Sequence, residues 1–432
     1  SDGTAQTYPG IPVAVNLGAL AGDPDGDAVA YQIVSAQNGR VTISGDGRTA
    51  WFTPAAGFTG TANFRFAADD GLARSAEAEM SVTVVNAALT EIGFESDSVV
   101  VRIEPGQAAQ LRAYGVFSDG GRMPLPAGYV AWTSNAPGVA LVSSAGGVWG
   151  VASGAAVIRI ESDALQAAAA VVVGAGSDPA LYELYPAAYT LPVGGTRQIV
   201  FNVVGATQQE DWAPASKGTS YTVGNAAIAT VTADGLVTAL ATGVTRITVI
   251  NGGIRHEMTL SVVAPSANGT VVDTEGGLVV NAEGIAVAVP PQSLAGNAVT
   301  VTTLAQGDLS LPVPTGFSFL SAFRIDLAGD DPAHPMGLSL PAAGLAEGER
   351  VLIFRKGRLL IGPNGQFKNA WALVDTAVVG ADQVARTTSP PHEGLLSEGE
   401  YFAMRGPIEG WIVLYPPDGA YEQSLIEVET AS

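Results

Sequence analysis

Three aspartates near the start of the chain are spaced like the oxygen ligands of a cation. Asp23, Asp25 and Asp27 occupy alternate positions, and a glycine at position 26 permits a sharp bend. Carboxylates that converge in this way suit a hard divalent cation such as calcium. Asp69 or Asp70, in a later Asp-Asp-Gly turn, would supply a further ligand from a neighbouring loop. The spacing therefore predicts a calcium site made by Asp23, Asp25, Asp27 and Asp70.

The alternative for these aspartates is a polar turn whose side chains cap their own backbone, because Asp is a common turn residue for that reason. A hand-type calcium loop would also require a bidentate glutamate some residues further on. The sequence has none at that spacing. Both interpretations therefore stand, and calcium is the one cofactor that the sequence suggests.

The three histidines give no sign of a catalytic or metal site. His256, His334 and His392 are far apart in the sequence, and no Gly-x-Ser-x-Gly nucleophile elbow accompanies them. The chain has no cysteine and no paired histidines, which excludes a metal cluster of nitrogen and sulfur ligands. A polysaccharide hydrolase would require an acidic pair in one cleft, and the sequence does not reveal one. We therefore predict that the chain is not an enzyme.

The tryptophans raise the question of a sugar-binding platform, in which exposed rings stack on a glycan. They are scattered over the chain, at Trp51, Trp132, Trp149, Trp212, Trp371 and Trp411. Trp51 and Trp132 lie in strand patterns typical of a core. Trp149 and Trp212 fit such a pattern less well, so we assign them to a glycan platform or, by preference, to contacts between domains or subunits.

The sequence pattern predicts that β-strands and the turns between them position the aspartates, histidines and tryptophans. Short apolar runs alternate with turn pairs such as Asn38-Gly39 and Asp46-Gly47, which tolerate the positive φ of tight hairpins. Residues 1–86 contain six such runs and are predicted to form a small β-sandwich. Their motifs, from Asp23-Pro24-Asp25 through Asn38-Gly39 to Asp69-Asp70-Gly71, keep the order and spacing of a known family. The segment resembles the bacterial cadherin-like repeats of long surface proteins.

The centre of the chain contains a passage that occurs twice. Residues 237–247 repeat the pattern of residues 148–158, and Gly243 corresponds to Gly154 at a shift of 89 residues. Residues 88–173 and 179–263 therefore form a repeated pair, which resembles the bacterial immunoglobulin-like domains of intimin and invasin adhesins. The first copy has the strand Trp132-Thr133-Ser134 where the second has Tyr221-Thr222-Val223. A short linker at residues 174–179 joins the two copies.

Alternation of side chains predicts how the second copy buries one face of each sheet. The residues directed inward are Val231, Leu236, Val237 and Ile247. The residues directed toward water are Thr230, Thr232, Thr245 and Thr248. Gly243 is predicted to occupy a turn or bulge where a side chain would clash.

Residues 265–432 follow a pattern of their own, with strand-length runs but no clear period over residues 370–396. The opening, from Gly276-Gly277-Leu278 to Ala298-Val299-Thr300, resembles the β-sandwich domain shared by zonula occludens proteins and netrin receptors. The complete prediction is an all-β fold, a tandem array of immunoglobulin-like β-sandwich domains. Its domains are expected at residues 1–86, 88–173, 179–263 and 265–432.

Composition limits the partners. The chain has 432 residues with 41 acidic and 20 basic side chains, a net charge of −21, which disfavours nucleic acid and anionic lipid. No apolar run approaches the roughly 20 residues of a membrane helix. The absence of cysteine favours a bacterial exterior over a eukaryotic one. The expected partners are a protein or glycan at a cell surface, or copies of the chain itself in a homo-oligomer.

Together these features predict a non-enzymatic extracellular spacer or cell-surface stalk, in which short linkers and calcium stiffen the joints between domains. One alternative is a subunit of a surface layer or filament, in which edge strands pair between copies. Another is the stalk of a large secreted toxin. The chain lacks an initiator methionine and has a strand pattern close to its end, at Leu425-Ile426-Glu427-Val428, so we expect it to be a piece of a longer protein.

Overall fold

The structure is a computed structural model, which describes residues 2–20, 28–95, 99–175, 182–203, 212–313, 318–361, 366–389, 392, 394–406, 412–413 and 425–426. The described chain consists of β-strands, loops and three short 3-10 turns, so the predicted all-β fold is confirmed. Each of these turns has three residues, and no helix of the described chain is long and apolar enough to cross a bilayer. Two compact units make up the chain, Ser1–Gly176 and Ser177–Ser432.

The first sandwich opens the first unit. Its strands are β1 (Gly3–Thr7), β2 (Val13–Asn16), β3 (Ala30–Gln37), β4 (Gly39–Ile43), β5 (Thr49–Pro54), β6 (Gly60–Asp69) and β7 (Ala78–Val84), with a 3-10 turn at Leu17–Ala19. One sheet has the order β1-β7-β6-β3, and the other has the order β2-β5-β4. Phe52, Phe64 and Phe66 fill the space between them. Because β1 runs parallel to β7 and every other pair is antiparallel, the sandwich closes with its first strand beside its last.

The second sandwich completes the first unit. Its strands are β8 (Leu89–Phe94), β9 (Val100–Ile103), β10 (Ala108–Gln110), β11 (Ala113–Phe117), β12 (Arg122–Pro124), β13 (Ala131–Ser134), β14 (Ala140–Val142), β15 (Gly147–Gly150), β16 (Gly154–Ser162) and β17 (Leu165–Val173). Its sheets have the orders β13-β16-β17-β9, β10-β15-β14 and β12-β11-β8. The four-stranded sheet again places an early strand, β9, parallel to the last strand, β17.

The third sandwich opens the second unit. Its strands are β18 (Tyr182–Tyr185), β19 (Ala188–Pro192), β20 (Thr196–Gln198), β21 (Val200–Val203), β22 (Thr219–Val223), β23 (Ala229–Val231), β24 (Leu236–Ala239), β25 (Gly243–Asn251) and β26 (Ile254–Val263), with a 3-10 turn at Ala215–Lys217. Its sheets have the orders β19-β26-β25-β22, β20-β24-β23 and β18-β21. The first two repeat the pattern of the second sandwich strand for strand.

The repeated glycines explain why the two copies share a sequence. Gly154 begins β16 and Gly243 begins β25, with φ of 150° and 146°. A Cβ at Gly154 would lie 3.1 Å from Val139 Cγ2, and one at Gly243 would lie 2.7 Å from Ile228 Cδ1. The clash predicted at Gly243 is therefore confirmed, and equivalent residues cause it in both copies.

Tyr221 occupies the place of Trp132 against an equivalent glycine. A Cβ at Gly146 would lie 2.8 Å from Trp132 Cη2, and one at Gly235 would lie 2.7 Å from the Tyr221 hydroxyl oxygen. The Tyr221 hydroxyl donates a hydrogen bond to the Ala213 carbonyl oxygen at 2.7 Å. The third sandwich thus keeps the packing of the indole and satisfies the polar end of the phenol.

The predicted inward and outward sets of the third sandwich are partly wrong. Val237 and Ile247 are buried as expected, but Leu236 is 39% exposed, while Thr245 and Thr248 are each only 5% exposed. Thr245 lies on the same face of β25 as Ile247, and its hydroxyl oxygen accepts a hydrogen bond from the Asn225 backbone at 2.8 Å. Thr248 faces the opposite side beside buried Thr222, so that side of the sheet is covered too.

The C-terminal β-domain has the strands β27 (Ser266–Ala267), β28 (Val271–Val272), β29 (Gly277–Val280), β30 (Ala286–Val289), β31 (Asn297–Ala298), β32 (Thr300–Leu304), β33 (Ser318–Asp326), β34 (Gly337–Pro341), β35 (Arg350–Ile361), β36 (Gln366–Val379), β37 (Val384–Thr387), β38 (Gly399–Arg405), β39 (Ile412–Val413) and β40 (Leu425–Ile426), with a 3-10 turn at Gln306–Asp308. Ten of them form one sheet in the order β27-β29-β30-β34-β37-β36-β35-β38-β33-β32. Val279 and Val287 near one end share a core with Phe323 and Ile325 near the other. The sheet therefore folds over onto itself.

Candidate functional site

The predicted calcium loop lies outside the described residues, because Asp23, Asp25 and Asp27 fall in the gap between residues 20 and 28. Asp70 is described, and its Oδ1 accepts hydrogen bonds from the backbone nitrogens of Leu72 and Ala73, both at 2.7 Å. Within the described ranges no group of three or more His, Cys, Asp or Glu residues could hold a metal ion. Asp70 thus has the geometry of a turn-capping aspartate, and the calcium site stays a prediction.

The described tryptophans do not form one platform. Trp132 is partly buried and contacts Phe94 edge to face at 6.0 Å between ring centroids, as a core residue should. The core assignment of Trp51 is wrong: its side chain is 44% exposed, because its neighbours Ala50 and Phe52 face inward on β5. Trp149 is 50% exposed, in the corresponding sheet of the second sandwich.

The remaining tryptophans have separate surroundings. Trp212 packs at the edge of the third core, where the Lys217 ammonium lies 5.5 Å from its ring. Trp371 is buried in the C-terminal β-domain and donates a hydrogen bond to the Pro312 carbonyl oxygen at 3.0 Å. Trp411 lies outside the described residues. Among the described tryptophans, Trp51 and Trp149 are therefore the ones that present a large face to solvent.

His256 has a structural role in the third sandwich. It stands on β26, and its ring contacts Phe201 edge to face at 5.7 Å between centroids. Burial lowers the pKa of His256, because the charged imidazolium is poorly solvated there. The neutral ring acts as part of the packing.

The first joint connects the first and second sandwiches and is built around Tyr8. Its ring stacks on Phe117 at 3.6 Å between centroids and 7° between planes. The Tyr8 hydroxyl donates to the Asp119 carboxylate, at 2.9 Å from Oδ1 and 3.1 Å from Oδ2. Ile11 is fully buried in the same cluster. Both the apolar face and the polar end of Tyr8 are therefore used in a contact between sandwiches.

Gly121 makes room for this contact. Its position lies so near the Tyr8 hydroxyl that a Cβ there would overlap with it. The Gly121 nitrogen also donates to Asp119 Oδ1 at 3.0 Å, which holds the carboxylate toward the tyrosine. The turn between β11 and β12 is thus shaped to receive a side chain from the first sandwich.

The second joint connects the third sandwich to the C-terminal β-domain and is built around Arg197 on β20. Only 8% of Arg197 is exposed, although it is a charged residue. Its Nη1 donates to the Thr387 carbonyl oxygen at 2.8 Å, and its Nη2 donates to the Ser389 carbonyl oxygen. The guanidinium also lies over the Tyr189 ring, 4.7 Å from its centroid, which favours a cation.

Asp375 provides the negative charge beside this arginine. It is 1% exposed, and its Oδ1 accepts hydrogen bonds from the backbone nitrogens of Thr376 at 2.7 Å and Ser389 at 3.1 Å. Burial raises the pKa of Asp375 to about 6, although these hydrogen bonds and the Arg197 charge act in the opposite direction. Ser389 contacts both charged groups and thereby connects the arginine to the carboxylate.

Strand β19 extends the second joint. The Thr190 hydroxyl donates to the Val289 carbonyl oxygen on β30 at 2.7 Å, and both groups are buried. A Cβ at Gly337 would lie 2.7 Å from the Tyr189 hydroxyl oxygen, so the glycine permits the close approach. Buried, directional bonds of this kind fix an orientation, whereas a joint without them behaves as a hinge.

The sequence contained a signal for Arg197 that pattern reasoning missed. Gln110 and Gln198 are equivalent in the repeat, because each donates its amide to two carbonyl oxygens in the corresponding loop. Arg197 therefore takes the place of Ala109, which packs against the second core. A charge at a position that is apolar in the other copy indicates a different neighbour. Tyr8 offered no comparable signal.

Two family models match parts of the chain. Residues 1–83 match the bacterial Ig domain, and residues 183–262 match the bacterial Ig-like domain of group 2. These matches confirm bacterial Ig-like modules in the first and third sandwiches, and neither match indicates a catalytic family. The matches do not extend into the C-terminal β-domain, whose resemblance to the domain of zonula occludens proteins and netrin receptors stays a prediction.

Similar solved structures include surface-layer and cadherin modules. Domains 4 and 5 of the S-layer protein SbsC are 16% identical, and the match covers 42% of this chain and 100% of that one with a TM-score of 0.17. A longer SbsC fragment is 14% identical, with a TM-score of 0.19. The match covers 77% of this chain and 50% of the SbsC fragment, so this chain spans about half the length of that fragment. Mouse cadherin-23 EC22-24 is 14% identical, with 61% and 96% coverage and a TM-score of 0.17. TM-scores this low carry no information about function. No curated protein matches the chain.

Proposed function

We propose that this tandem array of bacterial Ig-like domains is a stiff extracellular spacer at a bacterial surface. Arg197 at the second joint carries the proposal, because a buried arginine with two main-chain partners in the next domain holds that domain in one orientation. The first joint adds a stacked and hydrogen-bonded tyrosine. The same mechanical role would serve a cell-surface stalk or the stalk of a secreted toxin.

Energetic reasoning supports stiffness over hinging. Complete burial of an aromatic side chain stabilises by about 2 kcal/mol, and a stacked ring pair adds about 1 kcal/mol. Hydrogen bonds to a charged group contribute about 2 kcal/mol each. Opening either joint would forfeit several such contacts together and would leave Arg197 or Tyr8 without its partners. The closed arrangement should therefore dominate within each unit.

A spin-label distance measurement tests the proposal, and the chain suits it because it has no cysteine. We would introduce Thr230→Cys on β23 and Glu347→Cys in the C-terminal β-domain, which are both exposed. The expected result is a narrow distance distribution in the full chain. Arg197→Met should broaden it, whereas Arg246→Met, at an exposed ion pair of the same sandwich, should leave it narrow. A broad distribution in the parent chain would exclude a stiff joint.

A surface-layer or filament subunit is the second candidate, and β3 is the observation that favours it. This edge strand of eight residues carries no charge and no proline, which are common protections against pairing with another chain. The register shift between Ile33 and Ser35 is a bulge, and bulges reduce such pairing. Electron microscopy of purified chain distinguishes the two candidates, since ordered polymers support a subunit and isolated rods support a spacer.

A further inference from the structure

A groove on the C-terminal β-domain gathers positive charge in an acidic chain. It encloses about 430 Å³, and the charged residues that line it are Arg324, Arg355, Lys356, Arg358 and Glu400. The whole chain has only 20 basic residues against 41 acidic ones. Four cations around one carboxylate are therefore a local reversal of the charge of the molecule.

The register of three neighbouring strands creates this cluster. Arg324 on β33 lies opposite Glu400 on β38, and Arg355 on β35 lies opposite Tyr401. The pairing of β35 with β38, continued by one residue beyond Arg355, places Lys356 opposite Glu400. Strands are about 4.8 Å apart, so Glu400 has a cation on each side.

Glu400 already accepts hydrogen bonds from other residues of the same domain. Arg324 Nη2 donates to its Oε1 at 2.6 Å, and the Ser310 hydroxyl donates to its Oε2. Burial raises the pKa of Glu400, but the hydrogen bonds from Ser310 and Arg324 outweigh burial and the net shift is downward. The carboxylate thus stays ionised, and a single negative charge in the groove faces several positive ones.

Arg355 and Lys356 supply this excess. None of the ion pairs between described residues includes either of them. The Nε of Arg355 is shielded from solvent and has no hydrogen-bond partner in the described part of the chain. A shielded donor without an acceptor is costly, so hydrogen bonds within the described part of the chain do not account for the position of the Arg355 side chain.

The groove has the chemistry of a site for acidic sugar units. Arginine presents a planar fork of donors that matches carboxylate, sulfate and phosphate groups. The Asn369 side chain and Gly357 line the same groove and add an amide and an open backbone. Across three strands the cluster is about 10 Å wide, which suits a unit or two of a chain better than the flat surface of a folded protein.

We propose that this groove binds the oxyanion groups of an anionic polysaccharide. The negative charge of the rest of the molecule does not prevent binding, because at physiological salt charges more than about 8 Å apart are largely screened. The site gives the C-terminal β-domain a binding role that is separate from that of a spacer. It does not depend on the stiffness of the joints.

The test is a titration of the full chain with polygalacturonate, dextran sulfate and uncharged dextran. Binding of one or both polyanions, weakened by salt, together with no binding of dextran, supports the site. Arg355→Gln with Lys356→Gln should weaken the binding about tenfold or more, since two charge-assisted contacts are lost. The relative affinities of the two polyanions then show whether the groove prefers carboxylate or sulfate.

The matched control removes two cations elsewhere, with Arg65→Gln and Arg246→Gln, whose side chains are each 53% exposed. It has the same net charge as the groove variant and should bind as the parent does. Equal losses in both variants, or no binding of either polyanion by the parent chain, would overturn the proposal. Binding of single-stranded DNA as tightly as the polysaccharides would also overturn it, since the groove would then respond to charge alone.

Discussion

Arg197 in the third sandwich and Asp375 in the C-terminal β-domain are buried together and share Ser389 as a neighbour. Arg197 donates to the Ser389 carbonyl oxygen, and the Ser389 nitrogen donates to Asp375 Oδ1 at 3.1 Å. One peptide segment therefore connects a cation and an anion that come from different domains. The stability of the joint and its response to pH depend on the same small group of atoms.

Replacing Arg197 should loosen the second joint. Arg197→Met keeps much of the apolar stem but leaves the carbonyl oxygens of Thr387 and Ser389 without their donors. We expect a loss of about 3 kcal/mol in the free energy of unfolding, because one partner of a buried charged network is removed. Urea denaturation of the full chain measures it. Arg246→Met, at an exposed ion pair, should cost less than about 1 kcal/mol, and equal losses in the two variants would contradict the prediction.

The second unit should become more stable as the pH falls from about 6 toward 3.8, because of Asp375. The pKa of Asp375 is about 6 in the folded chain against an ordinary value of 3.8, so the folded state retains the proton more strongly. This contribution is fully present below pH 3.8 and disappears as the pH rises through about 6. A shift of this size corresponds to about 3 kcal/mol. Unfolding of the full chain across this range measures it.

Two variants check the assignment to Asp375. Asp375→Asn should remove the dependence, since the amide oxygen can still accept the backbone hydrogen bonds. Arg197→Met should move the window to higher pH, because the Arg197 charge lowers the pKa of Asp375. Asp382 shows the opposite behaviour: its hydrogen bond with Arg386 lowers its pKa, and that contribution is lost as the pH falls. An unchanged slope in Asp375→Asn would rule out this assignment.

Gly121 should be intolerant of a side chain. Gly121→Ala would place a methyl group against the Tyr8 hydroxyl, and overpacking of this kind costs about 2 kcal/mol. In a double-mutant cycle, Tyr8→Phe should recover part of the loss, since it removes the oxygen nearest the new methyl group. Thermal unfolding of the full chain is the measurement. Gly45→Ala serves as the control, because no atom lies within 4 Å of a Cβ at that position. Additive effects of Gly121→Ala and Tyr8→Phe on the thermal midpoint would show that the two residues do not interact.

We propose that calcium binds the first sandwich through Asp23, Asp25 and Asp27, with Asp70 as a further ligand. Isothermal titration of the full chain should give heat with millimolar calcium, and chelation should lower its thermal midpoint. Asp23→Asn with Asp25→Asn should abolish both effects. Asp234→Asn, in a turn of the third sandwich, is the control. Absence of heat in the parent chain would exclude the site.

The fold followed from the sequence where alternation and turns were clear. The β-modules and the clash at Gly243 were predicted correctly, because repeated positions face repeated neighbours. Trp51 was misassigned, since it lies within an unbroken run of apolar residues and such a run does not indicate which member faces inward. Thr245 was misassigned because a threonine can be buried when its hydroxyl finds a backbone partner.

The joints and the basic groove could not be predicted in the same way. Tyr8 and Asp119 are 111 positions apart, and Ser310 and Glu400 are 90 apart. Nothing in either local pattern indicates that these residues meet. The net charge of −21 also gave no sign of the groove, because it averages over the chain whereas binding depends on local charge.

The atoms that Arg197 contacts have a consequence for which substitutions the second joint tolerates. Both acceptors, at Thr387 and Ser389, are main-chain oxygens, which every amino acid possesses. Substitutions at these two positions therefore leave the acceptors in place. The domain beyond this arginine could thus change its side chains at positions 387 and 389 while the two hydrogen bonds that hold the joint are kept.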